Sequence, residues 1–235
     1  MKENEEEFNQ DSSDFKQKVS ESTDELKNET ADTVKKVKEN MKNVNVKEEA
    51  KATKGFIGEM IKDPLGKINE IANDESNKYF KTAIVLVIVW MIVALLGTIS
   101  FKYLSFKTLG RTLLDYIKTV LAPLVSVVVM GVVIFLLNKK SKKSLITILT
   151  TVVTVNLPVI IARVISLIKI ISLNIVVITS EVTSLASIIS TIFMFFAIRD
   201  LFNEEDEKSA FKKFFIVETV YIVVAFIISY LGIYI

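Results

Sequence analysis

A proline and three polar side chains interrupt the apolar part of this chain, and their types would suit an ion pair or an ion pathway. The stretch TTVVTVNLPVIIARVISLIK, residues 150–169, contains Asn156, Pro158 and Arg163, and Glu181 lies in the next apolar run. A charge inside hydrocarbon costs about 2.5–3.5 kcal/mol near the bilayer centre on insertion scales, so each charge needs a partner or a route to water.

Arg163 and Glu181 are predicted to lie at similar depth in a membrane. At the helical rise, Arg163 lies roughly 30 Å beyond Lys143, and Glu181 lies roughly 27 Å before Arg199. Since the two helices are antiparallel neighbours, the spacing predicts an Arg163–Glu181 pair. We prefer two structural interpretations to a transport site. Either the two residues form a clamp between helix ends, or their side chains reach water separately.

The other polar positions favour helix shaping and packing. Pro158 cannot donate a hydrogen bond to the Thr154 carbonyl, so it should kink the helix. Asn156 can bond to a neighbouring helix or cap the freed backbone. The next apolar run carries a stripe of small residues that would let helices approach closely: Ser180, Ser184, Ser187 and Thr191. The alternative interpretation is a polar pathway between these two helices.

Composition excludes several kinds of chemistry. The chain has no Cys and no His. Disulfides, thiol nucleophiles, Ser-His-Asp triads and zinc sites of the Cys/His kind are therefore excluded. No nucleophile–base pair is apparent, so we expect neither an enzyme nor a cofactor.

Apolar runs of membrane length predict an all-α polytopic membrane protein with five transmembrane helices. Residues 1–81 contain 15 Lys and 19 Asp or Glu, whereas residues 82–235 contain 14 Lys or Arg and 8 Asp or Glu. A membrane helix needs about 20 mostly apolar residues. Five stretches in the second part meet this need: 82–100, 119–137, 145–168, 175–198 and 214–235.

Basic residues near the span ends predict the orientation. Twelve lie on one side of the five-span arrangement and five on the other. Positive residues favour the cytoplasm, so the N-terminus should be cytoplasmic and the C-terminus outside a plasma membrane. The basic excess thus indicates a lipid bilayer as partner rather than nucleic acid. Glu218 lies five residues beyond Lys213 and is expected to reach the cytoplasmic surface.

Residues 1–54 form a charged cytoplasmic tail with an eleven-residue repeat. From Asp14 it reads DFKQKVSESTD, ELKNETADTVK, KVKENMKNVNV. The repeat predicts one weak apolar stripe along a helix. Such an amphipathic helix could lie on the membrane, pair with another copy as a coiled coil in a homo-oligomer, or dock on a cytoplasmic protein. The alternative is a disordered charged tail.

Residues 55–81 are predicted to be an interfacial pre-membrane segment. Gly55 and Gly58 break the repeat, and an apolar face then continues around Asp63-Pro64. Proline favours the first turn of a helix. We therefore expect two short helices with a proline-set turn at the membrane surface.

The predicted architecture resembles the Yip/Yif family of five-span membrane proteins, including its bacterial members. The local resemblance lies in IKDPLGKINEI, residues 61–71, and in KKSLITILTTVVTVNLP, residues 142–158. Eukaryotic members are scaffolds in vesicle traffic that bind small GTPases, but their Asp-Leu-Tyr-Gly-Pro type motif is absent here. The family supplies no catalytic residues.

Two functions follow as expectations. The first is a non-enzymatic membrane scaffold or adaptor whose tail recruits a partner or a lipid surface. The alternative is a small permease or channel subunit with a polar path between spans three and four. The richness in Lys, Asn and Ile indicates a Gram-positive bacterial source.

Overall fold

The structure is a computed structural model that describes residues 20–21, 23–39, 46–104, 113–138, 141, 143–167 and 176–230. These residues form helices and no strand. The chain divides into two compact units, Met1–Val44 and Asn45–Ile235. The helices of the second unit are α1 (Val46–Lys62), α2 (Pro64–Ala72), α3 (Phe80–Leu104), α4 (Leu113–Leu137), α5 (Leu145–Val155), α6 (Leu157–Ser166), α7 (Val176–Leu201) and α8 (Glu207–Tyr230).

The described part of the first unit is helical over residues 23–39. Its more shielded positions include Leu26, Thr33 and Val37, which belong to the stripe that the repeat predicts. Most of its other side chains are exposed, and Lys27 pairs with Asp24 one turn earlier at 3.5 Å. The rest of the predicted tail, apart from residues 20–21 and 46–54, lies outside the described residues.

Three described helices are long and apolar enough to cross a membrane. The qualifying segments are Phe80–Gly97 in α3, Tyr116–Leu137 in α4 and Thr179–Leu201 in α7, and the bent pair of α5 and α6 makes up to a fourth. They coincide with the first four predicted spans. Helix α8 is not among them. It covers residues 214–230 of the predicted fifth span, and residues 231–235 lie outside the described part.

Helix α5 forms the centre of the second unit. All of its residues except Leu149 are buried, and it packs against α2, α3, α4 and α7. Two of its threonines turn their hydroxyls back to the helix: Thr151 donates to the Thr147 carbonyl at 2.8 Å, and Thr154 to the Thr150 carbonyl at 2.9 Å. The third predicted span is therefore surrounded by protein over its first half.

The two helices before the first span begin earlier and pack more deeply than the sequence predicts. Helix α1 runs without a break through Gly55 and Gly58, and the division into two compact units falls between Val44 and Asn45. Glycine costs about 1 kcal/mol in a helix relative to alanine, and burial of Phe56 and Met60 offsets that cost.

One apolar face of α2 packs against the rest of the second unit, whereas Leu65 at its start is 40% exposed. Ile68, Ile71 and Ala72 are at most 1% exposed, in the same core as Ile198 and Leu201 of α7. The predicted proline-set turn is present: Pro64 begins α2, and Asp63 caps it by accepting a hydrogen bond from the Gly66 amide at 2.9 Å.

Candidate functional site

A break in the third predicted span lies at Asn156. Helices α5 and α6 meet there at an angle of 44°. The Asn156 amide donates to the Val153 carbonyl at 3.2 Å, which leaves the Val152 carbonyl without its usual helical donor. The Asn156 side chain donates to that carbonyl at 2.8 Å. The asparagine thus caps the backbone that the break frees, two residues before Pro158.

A cleft of about 290 Å³ lies beside this break, and we call it the central cleft. Six helices contribute to its wall, because α3, α4, α7 and α8 all approach the junction of α5 and α6. Its lining residues are Trp90, Ser126, Met130, Val152, Asn156, Val159, Ser187, Ser190, Thr191, Met194, Glu218 and Tyr221.

Glu218, which the sequence predicts to reach the cytoplasmic surface, lines the central cleft. Measured from the start of α8 at Glu207, Glu218 lies about 16 Å along the helix, and Asn156 lies about 16 Å from the start of α5 at Leu145. The partly buried position of Glu218 beside α4 and α7 depends on which helices pack together, and it has no local sequence signal.

Two polar groups of the central cleft have no hydrogen-bond partner among the described residues. The Ser190 hydroxyl is buried and has no hydrogen-bond partner in the described structure. Within the same residues, the Glu218 carboxylate accepts no hydrogen bond and forms no ion pair. The Ser126 and Tyr221 hydroxyls, in contrast, bond to each other at 2.7 Å. The cleft therefore combines an organised wall with unused acceptors.

Arg163 and Glu181 are not brought together. Both side chains are exposed, and among the ion pairs of the described residues none joins them. The alternative of two separate side chains at helix ends agrees with this arrangement. Neither residue lines the central cleft.

The serine stripe of α7 divides between two environments. Ser184 and Ser187 are both exposed, and of the two only Ser187 lines the central cleft. Ser187 donates to the Thr183 carbonyl, and Thr191 donates to the Ser187 carbonyl, each at 3.0 Å. These hydroxyls satisfy their donors within α7, which leaves their oxygen lone pairs for a neighbour.

A second polar cluster joins the two pre-membrane helices to the start of α3, and we call it the Lys67 cluster. The Lys67 ammonium lies 2.6 Å from the Glu59 carboxylate, 2.8 Å from the Glu70 carboxylate and 2.8 Å from the Tyr79 hydroxyl. Tyr79 donates to Glu70, and Lys78 donates to Tyr79 at 3.0 Å. The donors in this cluster are Lys67, Lys78 and Tyr79, and the acceptors are Glu59, Glu70 and Tyr79. The Lys67 side chain at its centre is 8% exposed.

The charges of the Lys67 cluster stabilise each other. Burial alone lowers the pKa of Lys67, but the hydrogen bonds to Glu59, Glu70 and Tyr79 outweigh it and raise that pKa above its ordinary value of 10.5. The hydrogen bonds from Lys67 and then Tyr79 lower the pKa of Glu70 below 4.5. A lysine held charged in this way is a structural clamp and not a nucleophile or a base.

The described residues contain no group of three or more His, Asp or Glu side chains that could hold a metal ion. Comparisons with protein-family models, with curated proteins and with solved structures each found no match to this chain. The central cleft and the Lys67 cluster therefore carry the functional interpretation.

Proposed function

We propose that this chain is a multi-pass membrane protein whose body binds and passes a small polar solute through the central cleft, as a permease or channel subunit. The observation that carries the proposal is that Glu218 and Asn156 line the same cleft, at the break between α5 and α6. An ionisable side chain at membrane depth that faces a bundle interior is the usual mark of a solute or ion pathway.

The broken helix supports the same proposal. Discontinuous membrane helices expose backbone and polar side chains near the bilayer midplane, where transporters bind their solutes. Here the break lies about 16 Å from the start of α5, close to half of a hydrocarbon core about 30 Å thick. The pathway then runs between spans three and four, with α8 adding the charge.

The proposed topology has five spans, a cytoplasmic N-terminus, a C-terminus outside and a location in the plasma membrane. Helix α8 is the fifth span in this arrangement. The distribution of basic residues supports the orientation. A five-span body is also the architecture in which the chain resembles Yip-like proteins, and the proposal includes that resemblance.

Solute flux into proteoliposomes tests the proposal. The probes are a permanent cation, a neutral polyol and an anion: tetramethylammonium, erythritol and methanesulfonate. We expect the wild-type chain to admit at least one of them faster than protein-free liposomes, and E218Q to slow it. E181Q is the matched control, because Glu181 lies on the surface and outside the cleft. Equal rates in liposomes with and without the chain would contradict a permease.

A second candidate function is a non-enzymatic membrane scaffold or adaptor of the Yip-like type. The Lys67 cluster favours it, because three ionic or hydrogen-bonded contacts fix α1 and α2 to the start of α3 and so hold a cytoplasmic surface on the membrane body. The charged tail would recruit a cytoplasmic protein, a lipid surface or another copy of the chain.

Crosslinking in the membrane followed by pull-down tests the adaptor function. The full chain is compared with a version that lacks residues 1–44, which leaves α1 intact. We expect a defined protein to be captured by the full chain alone. The same proteins captured by both versions would remove the tail from the recruiting role.

A further inference from the structure

We propose that the ligand of the central cleft is a small organic cation, and specifically a protonated alkylamine. This inference rests on the proposed function for the location of its site and adds the chemical class of the ligand. It is argued from the charge of the cleft, its aromatic walls, its hydrogen-bond acceptors and its size.

The charge of the central cleft selects a cation. Glu218 is the one ionisable carboxylate among the described residues that line it, and that lining contains no Lys or Arg. A carboxylate at membrane depth needs a partner or water, and no described side chain pairs with it. A cationic ligand would supply that partner, whereas an anion would meet like charge in a medium of low dielectric constant.

Two aromatic side chains suit an organic cation. Trp90 of α3 and Tyr221 of α8 both line the cleft, and the face of an aromatic ring attracts an ammonium group within about 6 Å of its centroid. The hydrogen bond to Ser126 orients Tyr221. Tyr221 also follows Glu218 by three residues, so both lie on the same face of α8.

The unused polar atoms are acceptors, as an ammonium group requires. The Asn156 amide nitrogen is committed to the Val152 carbonyl, and its oxygen accepts no hydrogen bond within the described residues. The Ser190 hydroxyl is buried without a partner there. Glu218 and the Asn156 oxygen are therefore acceptors without a donor on the lining of the cleft, and a primary ammonium has three N–H donors to offer them.

The size and the remaining walls of the cleft favour an alkylamine over a bare metal ion. A volume of about 290 Å³ is roughly ten times the share of one water molecule in the liquid. Met130, Val152, Val159 and Met194 would pack against an alkyl chain. Among the described residues, no group of three or more His, Asp or Glu side chains could hold a metal ion.

Tryptophan fluorescence gives a direct test, because Trp90 is the single tryptophan of the chain. The full chain is reconstituted in nanodiscs and titrated with n-butylammonium, and with butyrate as a probe of similar size and opposite charge. We expect a saturable change with butylammonium and none with butyrate. Loss of the carboxylate in E218Q should weaken the butylammonium affinity about tenfold or more, since hydrogen bonds to charged groups contribute about 1.5–3 kcal/mol.

The control variants separate a lost ligand contact from a lost fold. E181Q should bind butylammonium like the wild type, and E218D, which keeps the charge, should bind more tightly than E218Q. The proposal is overturned if butyrate binds as tightly as butylammonium, if E218Q binds within twofold of the wild type, or if butylammonium gives no saturable change.

The flux assay distinguishes this inference from the proposed function. If the chain transports erythritol or methanesulfonate but does not bind butylammonium, the permease function stands and the cationic ligand is refuted. If butylammonium binds in a way that depends on Glu218 but no probe shows flux, the cation-binding site stands and the permease function is refuted.

Discussion

The hydroxyl groups of Ser126 and Tyr221 lie 2.7 Å apart and join α4 to α8 across the wall of the central cleft. The two residues are 95 positions apart in the chain, so the bond fixes a long-range relationship between helices. It also sets the rotation of α8 about its axis, since a different rotation would break the bond. That rotation is what places Glu218 in the cleft.

We expect Y221F to loosen the packing of α8 while it keeps the aromatic ring. Hydrogen bonds between membrane helices contribute about 0.6 kcal/mol on average and up to about 1.7 kcal/mol, so the loss of free energy of unfolding should fall in that range. Thermal unfolding in detergent, followed by circular dichroism, measures it. Y230F is the control, because Tyr230 is 86% exposed, and an equal loss in both variants would contradict the role of the bond.

Removal of the Asn156 cap should cost more. In N156A the Val152 carbonyl loses its donor inside the bundle, and an unsatisfied buried polar group costs about 1–3 kcal/mol. The same unfolding experiment measures the loss, with S184A as the control, because Ser184 is exposed and forms no hydrogen bond within the described residues. A loss in N156A no greater than in S184A would show that the Val152 carbonyl finds another donor.

The sequence predicts those features that depend on residues close together along the chain. Runs of apolar residues locate the first four spans to within a few positions. Asp63-Pro64 predicts the turn between α1 and α2, and Pro158 predicts a bend near the middle of the third span. Each of these follows from backbone geometry or from local hydrophobicity.

The features that the sequence does not predict depend on which helices are neighbours. The face of α2 that contains Ile68 and Ile71 could equally cover a lipid surface, and only its contact with α7 shows otherwise. Arg163 and Glu181 lie at similar predicted depth, yet both side chains are exposed and no ion pair among the described residues joins them. Glu218 lies in the cleft because α8 packs against both α4 and α7.

The Lys67 cluster should make stability depend on pH in the acidic range. The pKa of Glu70 is lower in the folded chain than its ordinary value of 4.5. Its contribution is therefore complete above pH 4.5 and is lost as the pH falls through the folded pKa. The Glu70 side chain is 47% exposed, so the contribution should be below about 1 kcal/mol.

Unfolding temperatures of the wild type and E70Q between pH 3 and 7 measure this dependence. We expect E70Q to be less stable at pH 7, and the difference from the wild type to shrink as the pH falls below 4.5, because the wild-type carboxyl then takes up a proton. E75Q is a control, since Glu75 is an exposed glutamate outside the Lys67 cluster. A constant difference between wild type and E70Q over the whole range would contradict the ionic role of Glu70.

We propose above all that a polar cleft between spans three and four is open to solute inside the membrane. The accessibility of single cysteines tests this proposal most directly. The chain has no native cysteine, so S187C and I188C each carry a single thiol. Ser187 lines the cleft, whereas the adjacent Ile188 is 59% exposed on the bundle surface and is not part of the cleft. Each variant in proteoliposomes is treated with 2-aminoethyl methanethiosulfonate, which requires a thiolate and therefore water.

We expect S187C to react and I188C, facing lipid, to remain unmodified, as followed by mass spectrometry. Butylammonium should slow the reaction at position 187. An unreactive S187C, or equal rates at the two positions, would contradict a solute-filled cleft.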